Sequence, residues 1–436
     1  MIKIKPNHIN SLQIFHLLRY AANILLSVLF AKSYLSTKEI GIYESFIFYF
    51  SIFTFFWLTG LIQSILSLNK KGAKQEYLQI LFFNGFILSL MFSLLTGLIS
   101  FLFFPDLFST ETTKLNILFV AYLILTPSTW LVEYIILLNE QYKKLIIYGL
   151  LNFTLQIVLI GIIPILNLPF IWIFYGMLLI VIIKWFILSF IMIKQWFSKI
   201  FSWQIICQIL INSWPLMITA VLTSSAVLID GLLINIKFDE SQFAIFRYGA
   251  KEFPLFLLIA TSFSNSLLTR FPIGGDINPV LTEIKHESDK MIKTLFPISI
   301  VLLTISQHIY PLVFSTDFLE SYKIFDIYLL LVVSRFVFPQ TIFIGLQKTS
   351  FVLKAGFLEL IINIISSIIL IQYYGIIGVA YGTIIAFYAE KLLLMYFAKN
   401  KLSIKPEKYI NVKTLFIFSS TLWLIFILKN LIYQSN

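Results

Sequence analysis

Apolar residues run along this chain in long, near-continuous blocks, not in the alternation of a half-buried strand or the stripe of a surface helix. A helix that crosses a bilayer needs about 20 mainly apolar residues. Blocks of that length, bounded by charges or by clusters of Pro, Gly and Asn, fall at 11–35, 41–68, 77–104, 114–138, 145–166, 169–193, 205–235, 243–270, 291–314, 323–346, 351–373, 376–398 and 411–433. The pattern predicts thirteen transmembrane helices in an all-α, polytopic membrane protein. The tightest connections fall near Asn167 and at Tyr374–Gly375.

Composition sharpens this reading. Charged residues make up 12% of the chain, about half the share of a soluble domain, which leaves too little polar surface for a water-facing globule. The net charge of +11 would suit a nucleic-acid partner if the bases formed a face, but they cluster at block ends. With the N-terminus inside, cytoplasmic segments hold 21 Lys and Arg, against six outside: Lys32, Lys38, Lys114, Lys237, Lys323 and Lys429. That bias is the positive-inside signature and predicts a cytoplasmic N-terminus. Met1 to Asn10 lacks a small-residue cleavage motif and is expected to be a retained start. One cysteine, Cys207, excludes an intrachain disulfide and a Cys-based metal site. The four histidines are scattered, so no metal is expected. No Gly-x-x-x-x-Gly-Lys-Ser/Thr loop is present for ATP, and no cofactor is expected.

The chain also repeats itself. Lys38–Phe46, opening the second block, is echoed by Ser241–Gly249 opening the eighth. Gly149-Leu-Leu-Asn152 recurs as Gly356-Phe-Leu-Glu359, and Tyr175-Gly176 as Tyr381-Gly382. Six spans separate the copies, so both halves share one orientation, the parallel-repeat plan of transporters with a substrate path between bundles. The expected organisation is a six-helix bundle over 1–193, a basic linker at 194–204, a second six-helix bundle over 205–400, and an extra helix within 401–436.

Four stretches resemble the multidrug/oligosaccharidyl-lipid/polysaccharide (MOP) flippase superfamily, most of all its polysaccharide-transport, Wzx-type O-antigen branch. They are Ala31-Lys-Ser-Tyr-Leu-Ser-Thr-Lys-Glu-Ile-Gly-Ile-Tyr43; Ser213-Trp-Pro-Leu216 with Ile229-Asp230; Phe246-Arg-Tyr-Gly-Ala-Lys-Glu-Phe-Pro254; and Gly345-Leu-Gln-Lys-Thr349 with Tyr374-Gly-Ile-Ile-Gly-Val-Ala380. The likeness covers residue 11 to about residue 400, and the thirteenth helix departs from the family's usual twelve or fourteen. It implies a MATE-like fold in the bacterial inner membrane and a basic central cavity. Its implied substrate is an undecaprenyl-pyrophosphate-linked oligosaccharide, and a polysaccharide polymerase and chain-length regulator are possible partners.

Charged groups inside a bilayer cost roughly 2.5–3.5 kcal/mol each on insertion scales, so they pair, face water or carry function. Arg19, Arg247, Lys251 and Arg335 are the expected substrate contacts, because guanidinium groups grip diphosphates bidentately. Arg247 and Lys251, four apart, should share a helix face. The competing role for such charges is internal pairing: Asp230 with Arg247, Glu252 beside Lys251, and Asp326 on the helix of Arg335, with Glu133 and Glu359 also needing partners. These would be gates or structural bonds. Lys184, Glu390 and Lys391 are expected to pair or snorkel, and Pro127, Pro164, Pro254, Pro297 and Pro339 to bend their helices. The leading expectation is a flippase. The alternatives are a MATE-like drug/cation antiporter, which favours acidic cavity residues, and a membrane polymerase or glycosyltransferase, which would need a longer outer loop.

Overall fold

The computed structural model describes residues 8–69, 75–108, 113–195, 201–251, 254–268, 270–272 and 275–434. Those residues form helices and no strand. The chain divides into two compact units, Met1–Val221 and Leu222–Asn436, with the boundary inside one long helix.

The first unit contains α1 (His8–Ala31), α2 (Thr37–Leu68), α3 (Gln75–Phe103), α4 (Thr113–Thr129), α5 (Leu131–Leu138), α6 (Tyr142–Ile165) and α7 (Trp172–Gln195), with the opening of α8 (Trp203–Lys237). Ser36 starts α2 through a capping box, accepting from the Glu39 N–H while Glu39 reaches back to the Ser36 N–H. Pro127 lies near the end of α4, where its missing N–H weakens the last turn, and the chain resumes as α5 after Trp130. Trp57, Leu61, Leu81, Leu131 and Ile209 form the middle of the core. Gly60 lets α2 approach α8 closely: a Cβ there would stand 3.0 Å from the Ser213 carbonyl.

The second unit holds α9 (Glu240–Gly249), α10 (Pro254–Leu268), α11 (Asn278–Val313), α12 (Ser321–Leu329), α13 (Val332–Arg335), α14 (Pro339–Gly345), α15 (Thr349–Tyr374), α16 (Ile376–Leu402) and α17 (Val412–Gln434). Asp239 caps α9 by accepting from the Gln242 N–H at 2.8 Å. Pro254 and Pro339 each stand at the start of a helix, where the absent N–H costs nothing. Gly378 and Gly382 line α16 against α15; a Cβ on Gly382 would sit 2.8 Å from the Ser367 Cα. This is the small-xxx-small contact by which membrane helices approach closely.

Among the described residues, eleven helices are long and apolar enough to cross a membrane, or twelve if the pair Ser321–Arg335 and Pro339–Gly345, bent by 45°, is one span. The expected eighth span instead consists of α9 and α10, each too short alone. Proline accounts for the break before Pro339, since it disfavours a helical residue before it. Large apolar side chains such as Phe101, Phe186, Phe190 and Leu392 point outward, while Ser64, Asn84, Ser128, Ser299 and Asn363 are buried. Burying polar groups between helices and exposing apolar ones suits a lipid surround.

One turn recurs in both units. Between α5 and α6 the N–H groups of Asn139, Glu140 and Gln141 donate to the carbonyls of Ile135, Leu137 and Ile136. Between α14 and α15 the N–H groups of Leu346, Gln347 and Lys348 donate to Ile342, Ile344 and Phe343. Glu140 and Gln347 share a φ of 57°. The spacing of the two turns matches that of the Gly149 and Gly356 motifs.

Candidate functional site

Ionisable groups inside the helices gather in separate clusters. In the first unit α1 carries Arg19, whose Nη2 donates to Glu133 Oε2 of α5 at 2.6 Å. The arginine side chain is 31% exposed and the glutamate 3%, so the pair joins a half-exposed cation to a buried anion. Aromatic rings frame the guanidinium, with its carbon 5.1 Å from the Phe15 centroid and 5.2 Å from that of Trp130. A guanidinium over ring faces is held by the quadrupole without using its N–H groups. Glu133 Oε1 is buried and has no hydrogen-bond partner among the described residues. Lys184 of α7 and His16 of α1 lie within electrostatic reach of both charges.

In the second unit Asp230, near the end of α8, is 1% exposed. It accepts from Tyr328 Oη of α12 at 3.0 Å, Thr383 Oγ1 of α16 at 2.5 Å and Asn363 Nδ2 of α15 at 3.2 Å. Ser367 donates to Asn363 Oδ1 at 2.9 Å. The anticipated bond from Arg247 is not formed. Asp230 turns toward α12, α15 and α16, whereas Arg247 stands on α9. Carboxylate, hydroxyl and amide oxygens are the donor types that a hard cation takes. Among the described residues no three or more His, Cys, Asp or Glu side chains converge as a metal centre.

A third cluster joins α11, α12 and α17. Lys429 Nζ donates to Asp326, to Ser306 Oγ at 2.6 Å and to the Leu303 carbonyl at 2.7 Å. Asp326 thus pairs with α17 and not with Arg335, which lies on the separate helix α13. Arg335 stacks over Phe387 at 4.7 Å. Nearby, Lys391 pairs with Glu390 at 3.0 Å and approaches Gln340 at 3.5 Å. Glu359 of α15 lies within electrostatic reach of Glu390, Lys391, Arg335 and Asp230.

The expected face shared by Arg247 and Lys251 is absent because α9 ends at Gly249. Lys251 instead places its ammonium 4.2 Å from the Tyr248 ring centroid. Glu252 lies outside the described residues. Sequence reasoning missed Lys429, which counts as an outer-segment charge by position but is 8% exposed. It also missed Tyr328, Asn363 and Thr383, neutral residues that no charge inventory selects, and the buried Glu44 of α2.

No protein-family model matches the chain, and no curated protein matches it. Among solved structures, the chain is similar to the lipid II flippase MurJ in an inward closed conformation, with a TM-score of 0.65, 20% identity, and coverage of 97% of this chain and 98% of that one. The fold is similar to that of this flippase. A second similar structure is a multidrug resistance MATE transporter of the MOP superfamily, outward-facing, at TM-score 0.59 and 15% identity, covering 90% of this chain and 94% of that one. A third is a MOP superfamily transporter from Pyrococcus furiosus Vc1, at TM-score 0.54 and 13% identity, with coverage of 90% and 94%. The apolar helices and these likenesses make this a multi-pass membrane protein with the fold of those structures.

Proposed function

We propose that this chain is a flippase that moves an undecaprenyl-pyrophosphate-linked oligosaccharide from the inner to the outer leaflet of the bacterial inner membrane, with its N-terminus in the cytoplasm. The observation that carries this reading is the half-exposed Arg19 guanidinium, framed by Phe15 and Trp130 within a helical unit. A planar guanidinium suits a diphosphate, and aromatic faces beside it suit a sugar ring. The near-complete overlap with a lipid II flippase fold supports a large lipid-linked substrate. The bias of Lys and Arg toward one side supports the orientation. Arg247, Lys251 and Arg335 are proposed as further contacts, and Asp230, Asp326, Glu133 and Glu359 as gate or structural partners. Transport rather than covalent chemistry is the proposed activity, and a polysaccharide polymerase and a chain-length regulator are proposed partners.

A drug/cation antiporter is the second reading, favoured by the buried carboxylates Glu133 and Asp230 and the MATE-like fold. The deciding experiment is leaflet translocation in proteoliposomes of a fluorescent undecaprenyl-pyrophosphate oligosaccharide, comparing wild type with Arg19→Ala and Arg247→Ala. The flippase reading expects transport by wild type and its collapse in both folded variants. Absence of transport by wild type with several glycans, together with proton-driven efflux of an organic cation, would favour the antiporter.

A further inference from the structure

The Arg19–Glu133 pair is incomplete on both sides. Among the described residues Arg19 makes one hydrogen bond, through Nη2, out of the five that a guanidinium can donate. Glu133 uses Oε2 and leaves Oε1 buried without a partner. A buried ion pair repays its desolvation only when the geometry is good and the remaining polar atoms are satisfied. This one fails the second condition, and its cation is half exposed while its anion is enclosed. A diphosphate reaching Arg19 can offer two oxygens where Glu133 offers one.

We infer that Glu133 is a built-in competitor for the anionic group of the substrate, and that substrate binding at Arg19 releases the Glu133 carboxylate to take up a proton. This rests on the proposed function and deepens it by assigning Glu133 a coupling role. The exchange balances. The Arg19–carboxylate pair, a bound diphosphate anion and one proton become an Arg19–diphosphate pair and a neutral Glu133 carboxylic acid. The proton goes to the carboxylate, no covalent bond of the substrate changes, and the total charge is the same on both sides. The buried position of Glu133 requires the second half of the exchange. An enclosed carboxylate that loses its only cationic hydrogen-bond partner must gain a positive charge from elsewhere.

The other groups facing Glu133 are known. Arg19 and His16 approach from α1, Lys184 from α7, Tyr134 from α5 and Tyr148 from α6. Lys184 is the other lysine or arginine among them, and no hydrogen bond joins it to Glu133 in this arrangement. Glu133 is a positioning residue: it acts on the substrate through Arg19, which it holds beside the rings of Phe15 and Trp130.

The test is calorimetric titration of the full-length protein in detergent with citronellyl-diphospho-N-acetylglucosamine. This diphosphodiester stays fully ionised near neutral pH, so any proton counted belongs to the protein. Titrations in buffers of different ionisation enthalpy give the protons taken up per ligand bound. Wild type is expected to take up about one proton. Glu133→Gln, which keeps shape and removes charge, is expected to bind at least about tenfold more tightly with uptake abolished. Glu133→Asp is expected to retain uptake, and Arg19→Ala to lose binding. If Arg19→Ala loses binding but Glu133→Gln binds no more tightly, or still takes up a proton, the competitor role is overturned and the diphosphate reading stands. If neither wild type nor Glu133→Gln binds the ligand, the proposed function fails and the inference with it.

Discussion

Replacing Lys429 by alanine tests whether the buried network of α11, α12 and α17 holds the last helix in place. Lys429 makes three hydrogen bonds, one of them to the carboxylate of Asp326, with side-chain exposures of 8% and 3%. Removing one partner of a buried pair costs about 3–5 kcal/mol in soluble proteins. Interhelical polar bonds inside a membrane average nearer 0.6 kcal/mol, because the separated helices also find partners. Three bonds and one stranded carboxylate place Lys429→Ala between these limits, at about 2–3 kcal/mol. For a unit of roughly 200 residues that is a fall in Tm of about 5–10 °C. Asp326→Asn should cost less. Lys429 lies less than two turns from the end of α17, so it can reach toward the interface when its partner goes, and the short Asp326 side chain has no such escape. The assay is thermal unfolding in detergent of both single variants and the Asp326→Asn/Lys429→Ala double variant. The double variant should be no worse than Lys429→Ala alone. Additive losses, or a Lys429→Ala protein within 1 °C of wild type by the ~2–4 °C per kcal/mol scale, would show that the pair does not dock α17.

Two further perturbations probe the second unit. Asp230→Ala strands the Tyr328 and Thr383 hydroxyls and the Asn363 amide, so it should lose about 2–4 kcal/mol. Asp230→Asn lets the hydroxyls rotate and should lose less, and equal unfolding temperatures for the two variants would remove Asp230 from its central place. Gly382→Ala puts a methyl 2.8 Å from the Ser367 Cα, and because backbone cannot step aside it should cost about 1–3 kcal/mol. Gly356→Ala meets nothing within 4 Å and should be neutral or raise stability by up to about 1 kcal/mol; a Gly382→Ala protein melting with Gly356→Ala would contradict the close α15–α16 packing.

The architecture was legible because the bilayer imposes it: block length reports helices. Helix breaks were less so. Pro254 and Pro339 were recognisable as bends, but whether a proline kinks one helix or starts another depends on its neighbours' packing. Pairings were largely hidden. Arg19 and Glu133 were each conspicuous as a charge in an apolar block, yet they lie 114 positions apart and no local spacing links them. Asp230 was expected to find the nearest cation, but three neutral donors from three helices satisfy it instead. A residue-type inventory is blind to that solution, since Tyr, Thr and Asn in a membrane helix carry no flag.

The internal repeat bears on which cluster can exchange its partner. The matching turns at Glu140 and Gln347 bring Glu133 of the first unit into register with Gln340 of the second. At that shared position one copy carries an acid and the other a neutral amide. The buried acids of the second unit are differently held: Glu390 pairs with Lys391, which also approaches Gln340. Asp230 is surrounded by neutral donors, and Asp326 by a lysine nearly as enclosed as itself. A ligand arriving from solvent can displace a buried carboxylate from a cation only if that cation is accessible. Of these pairings, the Arg19–Glu133 pair best meets that condition, with a cation 31% exposed against 13% for Lys391 and 8% for Lys429. On the proposed exchange, this asymmetry puts the more accessible cation in the first unit, while Asp230, Asp326 and Glu390 of the second are held by less exposed partners.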